Sequence, residues 1–452
     1  MSTVWLPRLS ATSGPAYLAI VEALAADLAA GAVPRGTRLL PHREMAGRLG
    51  LSVGTIAKAY AEASRRGLIS GEVGRGTFVS AVPRDARAAL PSPVDMSLNA
   101  PPDTGAALLI GEALAEVARS GEIAGLLDYL PHAGLARHRA PMAAWLARDL
   151  GAPPPLERLV LCNGAQHGIA LALMAALTPG DALLAESVTY PGITFIAARL
   201  GHRLHGVALD AEGLVPDALD AAFAATGARA LYCMPTLQTP TGAVMSPARR
   251  EAIAAILRRH DAWAIEDDVY AFLAPDARPP LASLAPERVC YVASLAKCLA
   301  PGLRVGALVV PEPLRGGVNA ALRATGWMAS PVLTAVAASL LSSGAVAEQA
   351  ERKRAVAARR WVLARAALGP RAALPSLPAF HLWLPLTVPP AEIVAEAAMR
   401  GVILAPPTEA AGAPVPAGLR LCLGAPESDE ALGRGLAVLA EIIDQGGGRA
   451  LV

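Results

Sequence analysis

The sequence predicts two folded parts, a small helical unit that ends in a β-hairpin and a larger α/β domain with a mainly parallel central sheet. Apolar residues repeat at helical spacing through the first 66 residues, and a glycine-rich turn then separates two short apolar runs. Beyond residue 95, helical stretches alternate with short apolar runs, a pattern typical of parallel strands joined by helices. The chain has 452 residues, enough for two or three domains.

The first part has the pattern of three helices and a hairpin. An apolar stripe runs along the first helix and consists of Tyr17, Ile20, Val21, Leu24 and Leu28. A short helix over about 43–49 follows, Gly50 makes the turn, and Ser52 caps a third helix that runs to about 66. The hairpin strands are predicted at 68–69 and 77–79. Residues 1–80 are therefore predicted to form a winged helix-turn-helix.

The second part is predicted from six short apolar runs that have the length of buried strands. These runs are 159–161, 182–184, 230–232, 263–265, 289–292 and 307–310. Residues 81–94 carry three prolines and little periodicity, so we predict a linker there and a second domain over 95–452. From about residue 350 onward, the pattern indicates a smaller α+β part.

Basic residues are concentrated in the first part. Residues 1–80 contain nine lysines and arginines against five acidic residues, so their net charge is +4 while the rest of the chain is close to −2. This asymmetry favours a DNA-binding head, although a solvated surface or a small packing domain that binds nothing has the same pattern. In a winged helix the third helix enters the major groove, and the wing reaches the backbone or the minor groove. The predicted DNA contacts are Arg43, Ser52, Thr55 and Lys58 on the helices and Arg75 at the wing tip.

The stretch 24–79 resembles the winged helix of the GntR family almost from end to end. It carries an R-E-x-A helix start at Arg43 and a G-x-G-T-F-V wing that ends at Val79. In that family the matching positions contact operator DNA, so the resemblance implies the same role for the five residues named above. One departure is Gly54, which stands where the recognition helix often has arginine or serine. The resemblance therefore implies a double-stranded DNA operator whose sequence differs from the family's usual one.

The chain contains three lysines, and one of them lies in a setting suited to covalent chemistry. Lys58 is assigned to the DNA-binding helix, and Lys353 lies in a charged run predicted to be a solvated helical face. Lys297 instead lies between two apolar strands, where burial can lower its pKa and allow a Schiff base with an aldehyde cofactor. Arg304 and Ser294 nearby supply a cation and a hydroxyl for a phosphate group.

Two further motifs match the remaining needs of pyridoxal 5'-phosphate (PLP). Its pyridine nitrogen needs an acid, and Asp267 comes at the end of a buried strand, with Tyr270 placed to donate to the phenolic oxygen. Its phosphate needs backbone donors at the start of a helix, and a strand–turn–helix pattern offers them at Gly164, Ala165 and Gln166. Each motif alone is more often structural, but their joint occurrence favours a PLP site.

Residues 95–445 resemble the fold-type I PLP-dependent aminotransferases, in the branch related to kynurenine and aminoadipate aminotransferases. The motif S-x-A-K-x-x-x-P-G-L-R-V-G around Lys297 is similar to the lysine motif of that family. The resemblance implies a large α/β domain with a small α+β C-terminal part. The residue roles that it implies are an internal aldimine at Lys297, phosphate binding by Ser294 and Arg304, ring stacking by Tyr190, carboxylate binding by Arg420, and phosphate contact across a dimer by Tyr129.

Two positions depart from the aminotransferase pattern. Thr239 stands where the family has an asparagine that bonds the phenolic oxygen of the cofactor, and Ala296 replaces a serine that bonds the phosphate. Both changes are expected to alter cofactor binding or chemistry more than the fold. They favour a regulator over an efficient transaminase.

A GntR head joined to such a body resembles the MocR subfamily over nearly the whole chain. The resemblance implies a head-to-tail homodimer that senses PLP or a small amino-compound effector through aldimine exchange at Lys297 and responds by altered DNA binding. One alternative is a catalytically active aminotransferase that acts on an α-amino acid. Another is a body that has lost the cofactor and only dimerises.

Composition excludes several other classes of protein. The five cysteines are scattered without a C-x-x-C pair, so we expect no disulfide framework, no zinc or other metal site, and a reducing cytoplasmic location. The N-terminus lacks the pattern of a signal peptide, and no uncharged apolar run reaches about 18 residues. We therefore expect no membrane span.

Overall fold

The structure is a computed structural model that describes most of the chain. The described residues are 5–7, 15–30, 32–34, 36–65, 68–72, 76–79, 92–274, 279–373, 375–406, 408–409 and 417–449. The chain divides into two compact units, Met1–Ser92 and Pro93–Val452. Arg75 and residues 81–91 of the predicted linker lie outside the described residues.

In its described residues, the first unit has three helices and a two-stranded antiparallel hairpin. Its elements are α1 (Ala16–Ala29), α2 (His42–Leu49), α3 (Val53–Arg65), β1 (Ile69–Glu72) and β2 (Gly76–Val79). Val21, Met45 and Ile56 pack in its core and are fully buried. Between α2 and α3, Gly50 has a φ of +66°, a left-handed conformation that glycine adopts without strain. This arrangement confirms the predicted winged helix-turn-helix.

Helices and strands alternate along the second unit. Its strands are β3 (Val94–Asp95), β4 (Leu159–Cys162), β5 (Ala182–Glu186), β6 (Val188–Thr189), β7 (Arg203–Val207), β8 (Leu209–Asp210), β9 (Gly213–Leu214), β10 (Ala230–Cys233), β11 (Trp263–Asp267), β12 (Val289–Ser294), β13 (Gly306–Val309), β14 (His381–Pro385), β15 (Val402–Ile403), β16 (Thr408–Glu409) and β17 (Gly418–Cys422). Its α-helices are α4 (Ala106–Arg119), α5 (Ile123–Leu126), α6 (Ala136–Leu150), α7 (Ala165–Ala176), α8 (Pro191–Leu200), α9 (Pro216–Thr226), α10 (Pro247–Arg259), α11 (Leu281–Leu284), α12 (Leu295–Cys298), α13 (Arg315–Thr325), α14 (Pro331–Ser342), α15 (Ala345–Leu368), α16 (Pro390–Met399) and α17 (Asp429–Arg449).

Seven of these strands form a central sheet in the order β4, β13, β12, β11, β10, β5, β7. Neighbouring strands are parallel except at β13, which is antiparallel to both β12 and β4. All six predicted apolar runs lie in this sheet, which confirms the predicted α/β fold. The sequence did not reveal β7, because this edge strand is mostly half-buried and its apolar residues are interrupted by Arg203 and His205. The carboxyl ends of the parallel strands meet at one edge, the usual place of a ligand site.

A smaller α+β part has its own hydrophobic core. β14 and β17 form an antiparallel pair in which Trp383 lies opposite Arg420. Residues from the start of the unit complete this part, because β3 is parallel to β15, and Val94 and Met96 are buried in the same core as Leu419. The small part that the sequence places after about residue 350 is thus completed by a segment from more than 250 residues earlier in the chain.

Within the residues that the structure describes, no single helix is both long and apolar enough to cross a membrane. The pair Pro331–Ser342 and Ala345–Arg371 meets the length and composition only together, with a 75° bend between its members. All five cysteines are free and buried.

Candidate cofactor site

A cavity lies at the carboxyl ends of the central strands and encloses about 730 Å³ of empty space, its solvent-filled mouth included. Ten of the predicted site residues line it: Ala165, Gln166, Tyr190, Thr239, Asp267, Tyr270, Ser294, Lys297, Arg304 and Arg420. Five lining residues were not predicted for this role: Asn99, Met234, Val269, Ala296 and Pro301.

Lys297 lies on the short helix α12, which directly follows β12. The hydroxyl of Ser294 accepts a hydrogen bond from the backbone N–H of Ala296 at 3.1 Å and so caps this helix. The amine of Lys297 donates to the main-chain carbonyl of Asn99. Burial lowers the pKa of Lys297 to about 8. The amine therefore loses its proton much more readily than an ordinary lysine and can act as a nucleophile.

Asp267 ends β11 and presents an unsatisfied acceptor. Its Oδ2 accepts a hydrogen bond from the hydroxyl of Tyr232 at 2.9 Å, whereas its buried Oδ1 has no partner. Burial raises the pKa of Asp267 to about 6, so the carboxylate is mostly ionised at neutral pH. A buried carboxylate oxygen with no partner is unfavourable unless a ligand donates to it. The protonated ring nitrogen of PLP is a donor of the required kind.

Tyr270 is oriented by residues that are far apart in the sequence. Its hydroxyl accepts a hydrogen bond from Asn99 Nδ2 at 2.7 Å, and the side chain of Thr239 also bonds it. Asn99 Nδ2 lies 3.2 Å from His381 Nδ1, while His381 Nε2 donates to the carbonyl of Gln238 at 2.9 Å. Burial lowers the pKa of His381 to about 3, so the ring is neutral and its Nδ1 accepts. No local motif marked Asn99 or His381.

The start of α7 and the side chain of Arg304 form one end of the cavity. Gly164 precedes this helix with a φ of +82°, and a Cβ atom on it would lie 2.6 Å from Arg304 Nη2. Arg304 Nη2 donates to the carbonyl of Asn163 at 3.1 Å. Free backbone donors at a helix start beside a guanidinium attract an anion, and the absence of a Cβ at Gly164 leaves room for the cation. This end of the cavity fits a phosphate.

A glycine that the sequence analysis did not single out lies against the ring of Tyr190. A Cβ atom on Gly192 would lie 2.2 Å from Tyr190 Cε1, so the ring occupies the space of the missing side chain. Burial raises the pKa of Tyr190, which keeps the phenol neutral. The Y-P-G sequence thus combines an aromatic face with the glycine that lets this face pack closely.

Two predicted residues lie outside the cavity lining. Gly164 borders it through Arg304, as described above. Tyr129 is 80% exposed and makes an edge-on contact with the ring of Trp327 at 5.7 Å between centroids. Its predicted role concerns the site of a second subunit, and its exposure leaves it free for such a contact.

The prediction that Lys353 belongs to a solvated face is wrong. Its side chain is only 2% exposed, and its amine donates to the carbonyl of Leu299 at 2.6 Å and to that of Lys297 at 3.4 Å. The lysine therefore binds the carboxyl end of α12, where a positive charge is favourable. The sequence pattern did not reveal the burial of Lys353, because main-chain carbonyls, and not an acidic side chain, accept its hydrogen bonds.

Four of the five predicted DNA contacts lie on α2, on α3 or at the residue that caps α3. Arg43, Ser52 and Lys58 are exposed, and Thr55 is half-buried. Ser52 Oγ accepts from the backbone N–H of Thr55 at 3.1 Å and lies 2.8 Å from its hydroxyl, as expected of a helix cap. Arg75, the fifth predicted contact, lies outside the described residues.

The fold and the site together define a DNA-binding regulator of the helix-turn-helix type whose second unit has the aminotransferase fold. Residues 16–79 match the gntR family of bacterial regulatory proteins. Residues 91–439 match the aminotransferase class I and II family, and the chain belongs to this family.

The chain is similar to bacterial regulators over most of its length. It is 29% identical over 460 residues to the uncharacterized HTH-type transcriptional regulator YdeF of Bacillus subtilis, covering 97% of each chain. It is 28% identical over 382 residues to the probable rhizopine catabolism regulatory protein MocR of Rhizobium meliloti, covering 76% of each. The α-aminoadipate aminotransferase LysN of Thermus thermophilus, solved with N-(5'-phosphopyridoxyl)-L-leucine, has a TM-score of 0.72 at 24% identity, over 87% of this chain and 100% of that one. These findings confirm the resemblance to the MocR subfamily.

Proposed function

We propose that the protein is a PLP-dependent transcription regulator that senses PLP, or an amino compound that exchanges with Lys297 at the cofactor. The observation that carries the proposal is the cavity itself. An amine of lowered pKa, a buried carboxylate oxygen without a partner and a helix start beside a guanidinium belong to residues that line one cavity. When bound, PLP supplies an aldehyde carbon that reacts with amines and a ring that withdraws electrons.

The residues of the cavity suit each part of PLP. Arg304, Ser294 and the backbone of 164–166 would hold the phosphate, and Asp267 would accept from the ring nitrogen. Tyr190 would stack on the ring, while Tyr270 and Thr239 would bond the phenolic oxygen. In a head-to-tail homodimer, the exposed Tyr129 of a second copy would add a phosphate contact.

Arg420 supports an effector that carries a carboxylate. Its Nη2 donates to the carbonyl of Ser97 at 2.5 Å, but its buried Nε has no partner. A guanidinium with a free donor that lines a cavity binds a carboxylate in preference to a neutral group. We therefore propose an amino acid, or a similar amine with one carboxylate, as the effector.

The physical logic of such a regulator is linkage. An effector that binds one conformation of the second unit better than another shifts the population of that conformation, and with it the affinity for an operator. We propose that two heads, one from each subunit, bind paired half-sites on DNA. Free, buried cysteines support a reducing, cytoplasmic location.

An active aminotransferase is the second candidate function, because Lys297, Asp267 and Arg420 would serve both activities. The absence of the asparagine at Thr239 and of the serine at Ala296 favours the regulator. Turnover of a keto acid faster than about 1 per second would refute a purely regulatory role.

An absorbance spectrum of the purified protein with PLP tests the proposal. We expect a visible band that shifts once with a particular amino compound, remains shifted, and is accompanied by a change in DNA affinity. A band that converts fully to the pyridoxamine form and returns with a keto acid would support the aminotransferase. A protein that shows no visible band with PLP would contradict both functions.

The DNA-binding role predicts a specific effect of Arg43→Ala. Because this exposed arginine lies in the first turn of α2, its loss should weaken binding to a duplex selected by the wild-type protein by about tenfold and flatten the salt dependence. Arg48→Ala is the matched control, since Arg48 lies on the same helix but pairs with Glu44 at 3.1 Å. The visible band with PLP should not change in either variant. Equal affinity and equal salt slope for Arg43→Ala and the wild type would remove Arg43 from the DNA interface.

A further inference from the structure

The two cations of the cavity donate to the same short piece of main chain. The amine of Lys297 donates a hydrogen bond to the carbonyl of Asn99, and Arg420 Nη2 donates one to the carbonyl of Ser97 at 2.5 Å. We name Ser97–Asn99 the sensing segment. It is therefore held by the two groups that the proposed function assigns to the cofactor aldehyde and to the effector carboxylate.

A side chain adds a third attachment of the sensing segment to the cavity. Asn99 Nδ2 donates to the hydroxyl of Tyr270 at 2.7 Å and lies 3.2 Å from the acceptor nitrogen of His381. Tyr270 is itself a lining residue assigned to the cofactor. A ligand in the cavity thus meets the sensing segment through three of its own proposed contacts.

The sensing segment continues from β3, at the start of the second unit. The backbone N–H of Val94 donates to the carbonyl of Gly401 at 2.8 Å, and that of Met96 donates to Ile403 at 2.9 Å. The N–H of Ser97 donates to the side chain of Asp95 at 2.8 Å. This stretch directly follows Ser92, the last residue of the first unit.

We propose that the sensing segment couples the cavity to DNA binding, because a ligand that engages Lys297 and Arg420 withdraws the donors that hold Ser97 and Asn99. This inference rests on the proposed function and adds the route by which the ligand acts. A half-buried carbonyl that loses its donor must find another partner or move toward water, since an acceptor that is shielded from water and has no partner is unfavourable. Ligand binding therefore favours a conformation in which the start of the second unit is released.

Backbone hydrogen exchange of the full-length protein tests the inference, with two matched pairs of probes. PLP bonds to Lys297, whereas pyridoxine 5'-phosphate fills the same space but has no aldehyde. N-(5'-phosphopyridoxyl)-L-alanine presents a carboxylate to Arg420, whereas N-(5'-phosphopyridoxyl)ethylamine has none. Within each pair, the first compound should speed exchange of the Val94, Met96 and Ser97 amides by about tenfold relative to the second.

Two variants at adjacent positions show whether the response to the probes depends on the attachment of the sensing segment. In Asn99→Ala the attachment to Tyr270 is lost, so exchange should be fast without ligand and the probes should add less than about twofold. Leu98→Ala is the control, because the side chain of Leu98 is 67% exposed, and it should respond to the probes as the wild type does.

The outcomes distinguish the inference from the function on which it rests. If the probes bind, as judged by absorbance and fluorescence, and exchange of these amides is unchanged or slower, the coupling route is wrong while the proposed function stands. If neither PLP nor the phosphopyridoxyl compounds bind, both are wrong. Faster exchange within both pairs, together with a changed DNA affinity in the wild type, supports the route.

Discussion

Lys297→Ala is expected to abolish the visible absorbance band that the protein forms with PLP. The amine of Lys297 lies in the cavity, and its lowered pKa makes it the nucleophile that the cofactor requires. We expect the affinity for PLP to fall by at least about 100-fold, since the covalent bond is lost and only the phosphate and ring contacts remain. The protein should remain folded, because the hydrogen bond lost with this amine goes to one half-buried main-chain carbonyl, that of Asn99. Spectrophotometric titration and far-UV circular dichroism measure the two effects.

The small number of lysines in the chain makes the result of this test easy to assign to one residue. Only two other lysines exist, Lys58 on the exposed face of α3 and Lys353 beneath α12. Lys58→Ala should retain the band in full and lose only DNA affinity. A band that persists in Lys297→Ala would mean that Lys297 is not the attachment site.

The second large effect concerns a buried cation on α10 of the second unit. Arg250 is 0% exposed, and its Nη2 donates to the carbonyl of Pro235 at 3.0 Å and lies 3.1 Å from the hydroxyl of Thr236. Its Nη1 lies 3.8 Å from Glu266. Burial raises the pKa of Glu266 and of Asp268, and the charge of Arg250 opposes both shifts. Arg250 is therefore the counter-ion of a buried acidic pair next to Asp267.

Arg250→Ala is expected to reduce the free energy of unfolding by about 3–5 kcal/mol, because it leaves buried carboxyl groups and carbonyls without their donor. Urea unfolding followed by tryptophan fluorescence measures the loss. Arg258→Ala on the same helix is the matched control, since this arginine is about half exposed and pairs with Glu287 at 2.8 Å. Its loss should stay below about 1 kcal/mol. A similar small effect in both variants would show that Arg250 does not stabilise the acidic pair.

Much of the fold and of the candidate site follows from local sequence. The apolar runs that became the central strands are buried on both faces, and such strands are recognisable without knowledge of their neighbours. The residues around Lys297 and Arg304 lie within one strand–helix–turn unit, so their spacing predicts that they meet. β7 was missed because it lies at the edge of the sheet, and an edge strand lacks the continuous run of apolar residues that marks a buried strand.

The amino-acid sequence by itself determined the two-part architecture, the lysine available for covalent chemistry and most of the residues around it. Only the tertiary structure decided which residues contact and hydrogen-bond these site residues. Asn99 meets Tyr270 and His381 across 171 and 282 residues of chain, and Lys353 donates to carbonyls on α12 instead of facing water. The physical reason is that periodicity shows which face of an element is buried, but not which partner covers it. Hydrogen bonds to main-chain carbonyls leave no trace in side-chain chemistry, because every residue type supplies the same acceptor.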